Sequence, residues 1–128
     1  IYATQGSTIN ADGATADEAG INAVYAHKGS TINFENGTGM NADDTGLYAT
    51  RVSDINANGA NVRGASNRGI YSQKGSRVNI DTGNAQKGAS TSSSDMVVAN
   101  GSTINAYGAT GGKSQDFNVL TADGIIYQ

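Results

Sequence analysis

Gly6-Ser7-Thr8-Ile9-Asn10-Ala11 decides how this chain folds, because the phrase returns. It recurs as Gly29-Ser30-Thr31-Ile32-Asn33-Phe34, Val52-Ser53-Asp54-Ile55-Asn56-Ala57, Gly75-Ser76-Arg77-Val78-Asn79-Ile80 and Gly101-Ser102-Thr103-Ile104-Asn105-Ala106. Successive copies start 23, 23, 23 and 26 residues apart. Ser holds the second position of every copy, Ile or Val the fourth and Asn the fifth, and agreement in register of this kind marks a tandem repeat. A second phrase precedes each copy: Ile1-Tyr2-Ala3, Val24-Tyr25-Ala26, Leu47-Tyr48-Ala49, Ile70-Tyr71-Ser72 and Met96-Val97-Val98. A turn signal follows each copy: Asp12-Gly13, Asn36-Gly37, Asn58-Gly59, Thr82-Gly83 and Tyr107-Gly108. Glycine at such a corner permits the positive φ of a tight turn.

Both phrases read as short strands. In Ser7-Thr8-Ile9-Asn10-Ala11 one parity carries Ser, Ile and Ala and the other Thr and Asn, the alternation of a half-buried strand. In Ile1-Tyr2-Ala3 the aliphatics share one parity and Tyr takes the other. A helix is excluded by the β-branched, glycine-punctuated and short segments. A repeat of about 23 residues holding two short strands, a possible third, and glycine corners predicts one coil of a right-handed parallel β-helix. Five such coils span roughly 24 Å at the spacing of neighbouring strands. Stacking then forms an internal column of Ile9, Ile32, Ile55, Val78 and Ile104, and a second of Ile1, Val24, Leu47, Ile70 and Met96. Ala11, Ala57 and Ala106, with Phe34 and Ile80, fill beside them. Three chains interwoven as a triple β-helix are the alternative; a 23-residue period favours one chain completing each turn by itself.

Composition agrees once the repeat is seen. The 128 residues include 18 Gly, no Pro, no Cys and no Trp, with 37% hydrophobic residues and a net charge of −3. Low hydrophobicity alone suggests disorder, but disorder brings high net charge and no ordered pattern. A shared, stacked core needs few large side chains, and strands paired on both sides suit a chain without proline. The absence of Cys excludes disulfides and thiol chemistry. The single histidine, His27, cannot build a histidine metal site, so neither metal nor cofactor is expected. No apolar run reaches the ~18 residues of a membrane span. Lys28, Arg51, Arg63, Arg68, Lys74, Arg77, Lys87 and Lys113 read as scattered, without a basic patch, and the acidic balance argues against nucleic acid. The chain opens directly in an apolar run, as a fragment would.

Each repeated position forms a ladder. Ser7, Ser30, Ser53, Ser76 and Ser102 fall on the inward parity near a corner, where hydroxyls satisfy backbone groups. A serine nucleophile would need a base, and no Gly-x-Ser-x-Gly elbow exists. Asn10, Asn33, Asn56, Asn79 and Asn105 fall on the outward parity, where stacked amides bond coil to coil or, at Asn33 and Asn56, meet sugar hydroxyls. Tyr2, Tyr25, Tyr48 and Tyr71 form an outward stripe: stacked rings, a subunit contact, or a platform for apolar sugar faces.

Catalysis could only rest on carboxylates, the paired acids of glycoside hydrolysis. The candidates are Asp12, Asp17, Glu18, Glu35, Asp43, Asp44, Asp54, Asp81, Asp95, Asp116 and Asp123, and no pair stands out. Several lie in the variable stretches Ala14–Asn22, Thr38–Thr45 and Asn61–Arg68, read as corner loops. The calcium nonapeptide Gly-Gly-x-Gly-x-Asp is missing. Thr91-Ser92-Ser93-Ser94 lengthens the fourth repeat, and the coil spacing is expected to fade after Ala109. Residues 1–109 then form coils, and 110–128 a segment that caps the open edge or locks a trimer.

The rhythm Ile-Tyr-Ala-x-x-Gly-Ser-x-Ile-Asn-Ala, with the closing Asn118-Val119-Leu120-Thr121-Ala122-Asp123-Gly124-Ile125-Ile126-Tyr127, resembles phage tailspike β-helices. It is most similar to the neck-appendage (pre-neck appendage) proteins of small Bacillus podophages and related prophages. The resemblance covers essentially the whole chain but only the distal part of such a protein. It implies a pectin-lyase-like β-helix assembled as a homotrimer on the virion, adsorbing to the cell wall, with binding and degradation of teichoic acid. It also implies precursors with a C-terminal chaperone domain removed by self-cleavage, for which an end at Gln128 is suitable. No family catalytic residue has a matching motif here. Two further readings follow: a wall-polymer-degrading enzyme with carboxylates in grooves between subunits, and a bacterial autotransporter adhesin passenger, which shares a similar Gly-Val-Tyr-Ala…Gly-x-Ile-Asn rhythm and would be monomeric at the cell surface.

Overall fold

The computed structural model describes residues 1–87, 94–110 and 119–128. Among the described residues every regular element is a strand, and all strand pairings are parallel. The first coil comprises β1 (Tyr2–Thr4), β2 (Thr8–Asn10) and β3 (Thr15–Asp17). The second comprises β4 (Asn22–His27), β5 (Thr31–Asn33) and β6 (Thr38–Met40). The third runs through β7 (Thr45–Thr50), β8 (Asp54–Asn56) and β9 (Asn61–Ala65), and the fourth through β10 (Arg68–Gln73), β11 (Arg77–Asn79) and β12 (Asn84–Lys87). β13 (Ser94–Ala99), β14 (Thr103–Asn105), β15 (Val119–Ala122) and β16 (Ile125–Tyr127) complete the series.

Each strand pairs with its equivalent one coil away, giving three sheets ordered β1-β4-β7-β10-β13-β15, β16-β14-β11-β8-β5-β2 and β12-β9-β6-β3. One chain closes each coil by itself, so the fold is a parallel β-helix and not an interwoven triple helix. The register repeats the sequence period: Tyr2 sits beside Tyr25, Tyr25 beside Tyr48, and Ile32 beside Ile55.

Aliphatics of two sheets meet in one core. Val24, Leu47, Ile70 and Met96 are buried, as are Ile32, Ile55, Val78 and Ile104, with Phe34, Ile80, Ala57 and Ala106 between them. Ile1, Ile9 and Ala11, in the first coil, pack against this core but are only partly buried. A smaller cluster of Ala23, Ala42 and Ala65 fills another part of the coil.

Three sequence expectations need correction. The stretches read as corner loops carry the third sheet, because Thr15–Asp17, Thr38–Met40 and Asn61–Ala65 bond to one another in register. The spacing does not fade after Ala109: Val119 lies beside Met96, 23 residues on, and Ile125 beside Thr103, 22 residues on. The insertion 91–93 and residues 111–118 of the expected cap lie outside the described residues.

The third correction concerns the turn glycines. A hydrogen bond closes each turn across three residues: Ala14 N to Ala11 O, Gly37 N to Phe34 O, Ala60 N to Ala57 O, Gly83 N to Ile80 O and Ala109 N to Ala106 O. The positive-φ position is Gly13, Asn36, Gly59, Thr82 and Gly108 in turn. Gly37 and Gly83 therefore sit one place later than their supposed equivalents, and they serve a different need. A Cβ on Gly37 would lie 2.5 Å from the Phe34 ring, and one on Gly83 would lie 2.5 Å from Ile80 Cγ1.

Candidate functional site

The outward face of the first sheet gathers most of the residues singled out by the sequence. Alternation sends Val24 inward and Tyr25 outward, and parallel register stacks equivalent rings. Tyr2 and Tyr25 have centroids 5.1 Å apart, Tyr25 and Tyr48 4.8 Å, and Tyr48 and Tyr71 5.1 Å. The last two pairs are within 4° of parallel. Stacked this way, the rings turn their faces to one another and present edges and hydroxyls outward, so a flat sugar finds open ring faces only at the ends of the row. Val97 takes the tyrosine position in the next coil and ends the row.

Polar groups lock the upper half. Tyr71 Oη donates to Gln73 Oε1 at 3.0 Å, and Gln73 Nε2 donates to Tyr48 Oη. The Arg68 guanidinium lies over the Tyr71 ring, 4.7 Å from its centroid. The same guanidinium pairs with Asp44 at 3.3 Å, and Asp44 also accepts from Asn67 Nδ2 at 2.7 Å. Asp44, a candidate acid, is thus tied into an ion pair. Burial is the first cause raising the Tyr25 and Tyr71 phenols above their ordinary value, with Tyr48 as the next.

The lower half is more open. Ile1, Tyr2, Ile21, Asn22, Tyr25 and Tyr48 line a shallow depression. Tyr2 is 55% exposed and Ile21 67%, unusual for apolar side chains side by side.

The other ladders face inward or bond to themselves. Ser30 N donates to Ser53 Oγ, Ser53 N to Ser76 Oγ and Ser76 N to Ser102 Oγ, at 3.1–3.2 Å. Ser30 Oγ donates to His27 O, and Ser7 Oγ donates likewise to Thr4 O. The hydroxyls thus bind backbone rather than any base. Each asparagine Nδ2 donates to the Oδ1 one coil before: Asn33 to Asn10, Asn56 to Asn33, Asn79 to Asn56 and Asn105 to Asn79, at 2.6–2.9 Å. Asn33 and Asn56 lie on the second sheet, away from the tyrosine row.

The acids disperse. Asp12 and Asp81 accept backbone amides of the next coil at the turn, Asp17 accepts from Asn41 Nδ2, and Asp54 stands in β8. Asp95 is buried, and Asp116 lies outside the described residues. No group of three metal-binding side chains exists among the described residues.

The structure also assembles what the sequence reading called scattered. Lys28, Arg51 and Lys74 occupy one corner of consecutive coils, where Gly29 N donates to Arg51 O and Val52 N to Lys74 O. All three side chains are exposed. The signal is in the sequence, since 28, 51 and 74 differ by the repeat length. His27 joins this corner to the tyrosines, its ring 5.5 Å from that of Tyr25. Desolvation and then Arg51, Lys28 and Lys74 hold it below its ordinary value of 6.5.

No protein-family model, curated protein or solved structure matches the chain. No helix among the described residues is long and apolar enough to cross a membrane.

Proposed function

We propose that this chain is the receptor-binding shaft of a viral tailspike, assembled as a homotrimer, that adsorbs to a bacterial wall polymer such as teichoic acid. The observation that carries this reading is the outward face of the first sheet, a straight row of tyrosine edges beside the exposed Tyr2 and Ile21. Rings locked by stacking and by Gln73 lose little freedom on binding, which favours affinity. The exposed apolar end of the row suits burial between copies of the chain, as in interfaces rich in tyrosine. Adsorption rather than degradation is favoured because Asp44 is neutralised by Arg68 while other acids serve turns.

Mass measurement in solution and sedimentation with purified walls test the proposal together. Trimers that cosediment with walls, and lose this when the walls are stripped of teichoic acid, are expected. A stable monomer that ignores walls would overturn it. Shortened teichoic acid chains after incubation would replace adsorption with depolymerisation.

A further inference from the structure

We propose that the corner formed by Lys28, Arg51 and Lys74 is a binding site for a linear anionic polysaccharide lying along the coil axis, one acidic group facing each coil. The proposal deepens the adsorption reading and rests on it only for the polymer's biological source.

The cations are placed by backbone, since each sits at the same corner and successive corners are hydrogen-bonded. Their backbones are therefore separated by one strand spacing, about 4.8 Å. Like charges on neighbouring strands are destabilising. The conformation adds to that cost: Lys28, Arg51 and Lys74 have φ of 55°, 59° and 57°, where side chains are disfavoured. The flanking coils place Gln5, Asn100 and Asp123 there instead. No carboxylate lies within ion-pair distance of the three cations among the described residues, where Arg68–Asp44 is the ion pair formed. Beside them on the second sheet, Arg77 adds a fourth positive charge and its register partner Asp54 one negative. An anionic chain laid along this row would meet its three exposed positive charges at once.

The neighbouring face selects the polymer. Nucleic acid strands are held by bases stacking on open aromatic faces. Here the faces of Tyr25 and Tyr48 are turned to each other, and only edges and hydroxyls are offered. Sugar hydroxyls can bond to those phenols and to Gln73, which the Tyr48 and Tyr71 hydroxyls already hold in place.

The test titrates the full chain with polygalacturonate, dextran sulfate, neutral dextran and a single-stranded oligonucleotide across a range of salt. Binding to polygalacturonate or dextran sulfate is expected, with a log–log salt slope of about −2 if three contacts release counterions as on single strands. The combined Lys28→Gln, Arg51→Gln and Lys74→Gln variant should bind at least tenfold more weakly, while Arg63→Gln on the third sheet should be unchanged. In the native chain the single histidine gives an unambiguous NMR titration, and bound polyanion should move its midpoint upward. The proposal is overturned by equal binding of the triple variant, by equal binding of neutral dextran, or by tighter binding of the oligonucleotide. Wall binding that survives the triple substitution removes this site and leaves adsorption standing; polygalacturonate binding without wall binding does the reverse.

Discussion

The first, third and fifth coils turn the same corner as the second and fourth, but with different residues. Odd coils use Ala11, Ala57 and Ala106 inside, glycine at the positive-φ position, and alanine next: Ala14, Ala60 and Ala109. Even coils use Phe34 and Ile80 inside, Asn36 and Thr82 at positive φ, and then Gly37 and Gly83. The outside alternates too, for a Cβ on Gly59 would lie 2.5 Å from Asn36 Oδ1. Inside, the glycine of each bulky coil leaves room for that coil's own large side chain, and at Gly59 the next coil leaves room for Asn36. What the repeat conserves at this corner is volume and hydrogen bonding rather than residue type, as close packing requires.

The largest expected effect comes from breaking the inner compensation. Phe34→Ala should cost about 3–5 kcal/mol by leaving a cavity. Adding Gly37→Ala, which gives the second coil the odd-coil residues inside and after the turn, should return part of that loss. Urea unfolding of both single variants and the double variant measures the coupling; strict additivity would refute the compensation. Next comes Gly83→Ala, expected to cost about 1–3 kcal/mol by overpacking. Its Cβ would also lie 2.8 Å from Ala60 O, and a backbone atom cannot easily move aside.

Smaller effects test the parts shared by all coils. Asn56→Ala cuts the amide ladder at its centre and should lower stability by about 1–2 kcal/mol, while polymer binding changes little. Unchanged melting with lost binding would reassign Asn56 to the site. Thr82→Gly should raise stability by about 1 kcal/mol, because a β-branched residue at φ 57° is strained. No gain in melting temperature would mean that other contacts of Thr82 offset the strain.

Much of the fold was legible because a parallel β-helix writes its period directly into the chain. Residues one coil apart must match, so Ile32, Ile55 and Val78, or Asn33, Asn56 and Asn79, announce their stacking. The third sheet was legible only as a possibility. Its strands carry Thr15-Ala16-Asp17, Thr38-Gly39-Met40 and Asn61-Val62-Arg63, which share backbone pairing but almost no side-chain pattern. The tail was misread for a similar reason, since Val119-Leu120-Thr121 keeps the register of Met96-Val97-Val98 while losing the tyrosine that marked it. At the candidate site the tyrosine row was readable, but not which way its rings face.

By itself, then, the sequence determined the period, the inward and outward parity and the identity of the aliphatic, serine, asparagine and tyrosine ladders, because register in a parallel stack is one repeat length of chain. Only the tertiary structure decided what adjacent ladders do to one another. It turned tyrosine faces together, tied Asp44 to Arg68 across coils, and brought Lys28, Arg51 and Lys74 into one row beside His27. Those outcomes depend on distances between side chains about 23 residues apart, and ring orientation and ion pairing carry no periodic signature until the coils are stacked.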